Sequence, residues 1–342
     1  MAYTTIKKPS DYFNTKLYTG TGSSNSVTGV GFQPDWVWIK HRNGTGEHDI
    51  YDAVRGATKK ISSNTADAEV NQTNGLSAFG SDGFTVVNST ATNLNNGTYA
   101  SWNWLANGAG VANTDGSISS TVSVNTTAGF SIVKFTGTGA NATVGHGLGV
   151  KPNVIILKSY ENGQQWSSYW SALGATKYMR FNTTDAAETA SNRWNNTEPT
   201  TSVFTVSTDG EVNTNGQNQI AYCFAEKQGF SKFGSYTGNG STDGTFVYTG
   251  FKPAMVIFKN TTTAGYDWEM RDNKRPNPFN PVEARLFPNT SAAESNDEAI
   301  DFCSNGFKLR GTASNWNRSG DTFIYMAFAE QPLVGDNPAT AR

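Results

Sequence analysis

The chain is 342 residues long with only 16% charged side chains, and 26 basic against 28 acidic residues leave a net charge of −2. Such a balance supplies no field that would gather nucleic acid or an anionic membrane. No apolar run reaches the roughly 18 residues of a membrane-spanning helix, so membrane insertion is not expected.

Glycine, threonine, serine and asparagine separate short apolar runs rich in Trp, Tyr and Phe, the composition of short strands joined by tight turns. The opening residues lack the apolar stretch of a secretory signal, so the product is expected to stay in the cytoplasm until something releases it. Residues 1–14 read as a separate N-terminal segment.

The first landmark is an aromatic followed by Thr-Gly-x-Gly at Tyr18-Thr19-Gly20-Thr21-Gly22. It returns at Phe135-Thr136-Gly137-Thr138-Gly139 and Tyr236-Thr237-Gly238-Asn239-Gly240, after intervals of 117 and 101 residues. Recurrence of this length marks internal repeats. Pro34, Pro152 and Pro253 follow, each leading an apolar run that ends in lysine, at Lys40, Lys158 and Lys259. Proline is tolerated where a strand begins, and the unbroken apolar run predicts a strand covered on both faces.

Next in each copy comes Asn64-Thr65-Ala66-Asp67-Ala68-Glu69, matched from Asn182 to Glu188 and from Asn289 to Glu294, which reads as a short connecting turn. Asp82-Gly83 and Asn305-Gly306 are hairpin signals; the middle copy departs, and its Asp209-Gly210 reads as a later hairpin. Each copy closes on a strand with one crowded face, carrying large residues at 102 and 104, at 220, 222 and 224, and at 324, 326 and 328.

The expected fold is therefore all-β, with three tandem antiparallel β-sandwich modules of the jelly-roll or concanavalin-like kind, each with its own dry interior. Repeats are placed at 15–106, 129–228 and 229–332, a Gly/Ser/Thr/Asn-rich linker at 107–128 and a patternless tail at 333–342. The second and third copies abut and should form a rigid pair, while the linker leaves the first copy a different relation to them.

The stretches at 9–20 and 129–139, the loop Val144-Gly145-His146-Gly147-Leu148-Gly149 and the closing Ile324-Tyr325-Met326-Ala327-Phe328-Ala329-Glu330 resemble a family of triple-repeat, lectin-like virion or tail-fibre proteins of tailed phages infecting marine bacteria. The resemblance implies a non-enzymatic part of a virus particle, displayed as a receptor-binding adhesin for host-surface glycan. A capsid decoration or tail protein that binds other virion subunits is the alternative, and a polysaccharide depolymerase a third. It implies other virion proteins and host polysaccharide as partners, and location in the virion. A homo-oligomer is also expected.

Catalytic and metal chemistry finds little support in the residues. His41 and His48, beside Glu47 and Asp49, read as loop residues with solvated neighbours, and His146 as a turn residue between glycines. Cys223 and Cys303 read as free thiols. No cofactor or metal is expected. For glycoside cleavage, Asp267 and Glu269 flank Trp268, but the same residues read as a strand with both carboxylates outward. Aromatics beside amides and arginines suit a sugar's C–H face and hydroxyls, or a protein interface. The candidates are Trp166, Tyr169, Trp170, Arg193 and Trp194 in the second copy, with Tyr266, Trp268, Arg271, Trp316 and Arg318 in the third. Filling of a sandwich core is the competing reading for each.

Overall fold

Short aromatic runs broken by Gly, Asn and Thr give short strands throughout. The computed structural model describes residues 3–275, 279–336 and 338–340, and over that range the chain is all-β, with four α-helices of one turn each. Among the described residues no helix is long and apolar enough to cross a membrane.

One strand order recurs in three large antiparallel sheets. The opening strand lies beside the closing strand, which lies beside the proline-led strand, which lies beside a fourth. In the first copy these are Phe13–Thr19, Thr98–Trp104, Trp36–His41 and His48–Asp52. In the second they are Phe130–Thr136, Asn218–Phe224, Val154–Ser159 and Ser167–Trp170. The third uses Ser231–Thr237, Thr322–Pro332, Phe251–Asn260 and Glu269–Asp272. Register is kept as well as order. Trp104 pairs with Phe13 and Trp36, Phe224 with Phe130 and Val154, and Phe328 with Ser231 and Met255.

Each large sheet is covered on one face by a smaller sheet of its own copy. Because side chains alternate along a strand, Val37 and Ile39, Ile155 and Leu157, and Val256 and Phe258 point into three separate interiors. The opposite faces send Trp36 and Trp38, Val154 and Ile156, and Met255 and Ile257 into a single core shared by all three copies. At its axis Trp104, Phe224 and Phe328 form a triangle with ring centroids 6.4, 5.8 and 5.4 Å apart. Burying one such aromatic removes 150–250 Å² from water, on the order of 4–6 kcal/mol as an upper bound.

The joints between copies repeat in a ring. Lys158 Nζ donates to the Ala66 carbonyl at 2.8 Å, Lys259 to Thr184 at 3.4 Å and Lys40 to Ser291 at 3.2 Å. Burial pushes all three ammonium groups down to about 8. Backbone bonds follow the same circuit, from Glu69 N to Tyr160 O at 2.7 Å, from Ala187 N to Thr261 O at 3.0 Å and from Glu294 N to Arg42 O at 2.7 Å. The motif that reads as a connecting turn is thus the strap by which each copy holds a neighbour. Its leading Asn64, Asn182 and Asn289 accept from the backbone N–H of His48, Trp166 and Trp268 at 2.9–3.0 Å.

Polar contacts inside the core match around the ring too. Tyr222 donates to Asp52 at 2.8 Å and Trp102 Nε1 to Asp272 at 3.1 Å, and those carboxylates hold the buried Arg55 and Arg275. At the third joint the corresponding residues are apolar: Met326, Trp170 and Leu173. The Thr-Gly-x-Gly loops dock on a buried asparagine, whose Oδ1 accepts from Thr21, Thr138 and Asn239 N–H at 2.8–3.0 Å. A Cβ on Gly20, Gly137 or Gly238 would lie 2.1–2.4 Å from a carbonyl oxygen, so only glycine allows the approach.

Four expectations are corrected. Residues 107–128 are no linker, since Val111–Asn113 and Ser120–Asn125 extend the second sheet and bury Val122; their apolar positions are too sparse to stand out from Ser and Thr. The first copy is no freer than the others, because the straps bind it on both sides. Asp209-Gly210 is a helix start, with the Asp209 side chain capping Glu211 N–H. Finally, the N-terminal segment ends sooner than residue 14: the first strand begins at Phe13, ahead of which Ile6 is buried in the shared core.

Candidate ligand-binding site

The shared core takes most of the aromatics expected at a binding surface. Trp166, Trp170 and Trp268 lie in it, with Trp166 Nε1 donating to Ser62 O and Trp268 Nε1 to Arg180 O, both at 3.0 Å. Tyr169 and Trp194 fill the second interior and Trp316 the third. Arg193 is buried, ion-paired to Asp209 and Glu211, with its guanidinium 4.3 Å above the Tyr178 ring. Arg271 is buried against Glu269. These eight are framework: Trp166, Tyr169, Trp170, Trp268 and Arg271 lie in or beside strands covered on both faces, and Arg193, Trp194 and Trp316 come from one-turn helices that close the separate interiors. Only Tyr266 and Arg318 reach the surface, where Arg318 donates to the tyrosine hydroxyl at 3.3 Å.

The carboxylates beside Trp268 do not face each other across a sugar site either, since Glu269 is buried with Arg271 and Asp267 accepts from Asn289 at 2.7 Å. His41 and His48 are buried strand residues, not solvated loop residues, and His146 is buried as well; His48 accepts from Trp38 Nε1 at 2.9 Å, and burial drives its imidazole well below the usual range. Both cysteines are free. Among the described residues no cluster suits a metal ion.

A different site emerges where the third copy departs from the repeat. From the position opposite the proline-led strand to the strap asparagine, the chain runs 12 residues in the first two copies (52 to 64, 170 to 182) but 17 in the third (272 to 289). Of the described residues in this longer segment, Asn273 and Lys274 lie beside the first copy's opening strand, and Phe279 and Asn280 line a cavity next to them. Three adjoining cavities of about 420, 50 and 320 Å³ line up there as a trough with two lobes and a waist, neighbours sharing lining residues. Lys274 lines all three parts.

At the third-copy end the walls are Lys252, Asn273, Asn280, Phe302 and Glu330, with Phe279, which is 57% exposed. Asn280 fixes the loop by exchanging two hydrogen bonds with the Phe302 backbone, at 2.8 and 3.0 Å. The first copy contributes Asn14, Thr15, Lys16 and Gly29. Lys252 pairs with Glu330 at 2.8 Å; among the described residues Lys274 has no carboxylate within 4 Å, and Lys16 forms no ion pair but lies in the field of Asp82, which accepts from Gly29 N–H at 2.9 Å.

Two buried polar atoms in the waist lack a partner, Thr15 Oγ1 and Asn273 Oδ1, on residues only 6% and 7% exposed. At the register position of Thr15 the other copies carry Ile132 and Phe233, both in the shared core. A hydroxyl replacing a hydrocarbon there costs roughly 1–3 kcal/mol if left unbonded. Strand pattern alone does not mark these residues; measuring the copies landmark by landmark does, through the longer third loop and the polar exception at Thr15.

A family described as a domain of unknown function, DUF7483, matches residues 8–332. The chain belongs to that family. No curated protein and no solved structure matches it. The DUF7483 match spans all three repeats and both walls of the trough, so it treats the closed ring of copies as one unit.

Proposed function

We propose that the protein is a non-enzymatic structural component of a phage particle, displayed as a receptor-binding protein that holds host-surface glycan in the Lys274 trough. The observation that carries this reading is the groove between the first copy's opening strand and the longer segment after Asp272, where the described residues leave Thr15 Oγ1 and Asn273 Oδ1 without partners beside Lys274. Binding sites commonly sit on loops that vary over a rigid frame. Glu330 is the sole carboxylate among the described trough residues and is tied to Lys252, whereas hydrolysis of a glycosidic bond calls for two facing carboxylates.

Each chain offers one such trough, so a firm hold on a cell surface requires several chains in the particle. Cryo-electron microscopy of the particle tests the reading. A distal position with the trough open is expected; a trough buried against another subunit would overturn it. Shortening of host polysaccharide by the purified protein would favour the depolymerase instead.

Capsid decoration or tail assembly is favoured by one separate feature. Phe246 and Tyr248 are 44% and 56% exposed on Phe246–Tyr248, an edge strand of the third copy's small sheet. An exposed aromatic edge suits pairing with another chain. Contact at this edge in the particle, with the trough empty of glycan, would decide for that reading.

A further inference from the structure

Resting on the reading of the trough as a glycan site, we infer that its ligand is a carboxylated polysaccharide, bound with carboxylates on Lys16 and Lys274 and a sugar hydroxyl in the waist. Three lysines face one glutamate along the trough, and that glutamate already neutralises Lys252. Lys274, which lines both lobes, remains without a carboxylate partner, and Lys16 joins it in the first-copy lobe with Asp82 in its field, while the chain as a whole is slightly acidic. The positive charge is therefore local to this groove.

The waist specifies the rest of the ligand. Asn273 Oδ1 accepts only, so its partner must bring a hydrogen, and Thr15 Oγ1 beside it can give or take one. A sugar hydroxyl supplies both roles. A DNA phosphodiester backbone supplies neither hydroxyl nor other donor and satisfies the lysines alone. Lobes of this size are within the range of small-ligand sites and are open-ended toward each other through Lys274, as a chain of acidic sugars requires.

The test uses the full-length protein and three probes: polygalacturonate, its fully methyl-esterified form, and a DNA oligonucleotide, titrated at low salt by calorimetry. Polygalacturonate should bind, and both esterification and Lys274→Glu should weaken it by about tenfold or more, since each removes a lysine–carboxylate attraction. Lys177→Glu, an exposed change in the second copy, should leave it unaltered. Thr15→Val, nearly isosteric, should also weaken binding, by removing the waist hydroxyl that gives or takes the sugar's hydrogen. Equal binding of the ester would overturn the acidic ligand while leaving a glycan site in place, and no binding of either polymer would overturn both. DNA binding more tightly than polygalacturonate, or indifference to Lys274→Glu, would overturn the inference.

Discussion

Lys40, Lys158 and Lys259 occupy one position in three copies, each with its stem buried and its ammonium group among backbone carbonyls of its own and a neighbouring copy. Lys158→Met keeps the stem and removes the donor, leaving the Ala66 carbonyl unpaired in the joint. A loss of about 1–3 kcal/mol is expected, read as a lower urea midpoint at unchanged slope. Breaking a buried ion pair should cost more. Asp272→Ala leaves the buried Arg275 only its longer contact to Glu294, at 3.2 Å, and removes the acceptor of Trp102, so roughly 3–5 kcal/mol is expected in the same assay. Asp49 behaves differently: burial raises its carboxyl from 3.8 to about 6 despite Lys60 at 3.2 Å. Between about pH 4 and 6 the folded chain then binds more protons at this site than the unfolded chain, so its contribution to stability falls as pH rises through that window. Relative to Asp49→Asn, wild type should therefore be more stable at pH 4 than at pH 6. Urea midpoints of both proteins at the two pH values measure it.

Among the elements, the proline-led strands were the most legible, because an apolar run on both parities of a strand has only one physical explanation, cover on both faces. What covers the second face was not legible. Trp166 and Trp268 carry the same alternation whether they meet a sugar, another protein or a neighbouring copy of their own chain, and nothing within one repeat separates these. The strands at 111–113 and 120–125 were missed because Thr and Ser hold most of their positions, and such residues read as loop until pairing supplies their hydrogen bonds. Thr15 was in plain view as a departure from the repeat, yet polarity at one strand position carries weight only once its neighbours are known to be buried. The Thr-Gly-x-Gly element makes its own prediction. Gly137→Ala would bring a methyl group to 2.3 Å from the Thr214 carbonyl, while Gly149, at φ +70°, has nothing within 4 Å. Gly149→Ala should cost about 1–2 kcal/mol of backbone strain, and Gly137→Ala distinctly more by thermal melting.

For the whole molecule, a core shared by three copies ties their folding together. Each large sheet would expose half its apolar side chains if released, so residues 129–228 expressed alone should fail to give a sharp melting transition. The full chain should show one calorimetric transition with equal calorimetric and van't Hoff enthalpies. Three separable transitions would mean that the copies are independent after all. The polar pairs across the core, Tyr222 with Asp52 and Trp102 with Asp272, and the apolar Met326 and Trp170 at the corresponding positions differ enough from one another to admit one cyclic order.

The loop that follows Asp272 lengthens the third copy without shifting its register on either side, since Asn289 still caps Trp268 as Asn64 caps His48. Length between these two anchors is therefore set independently of the frame. The corresponding stretches at 52–64 and 170–182 are insertion points of the same kind, where a grafted segment would lengthen the first or second copy on an unchanged chassis.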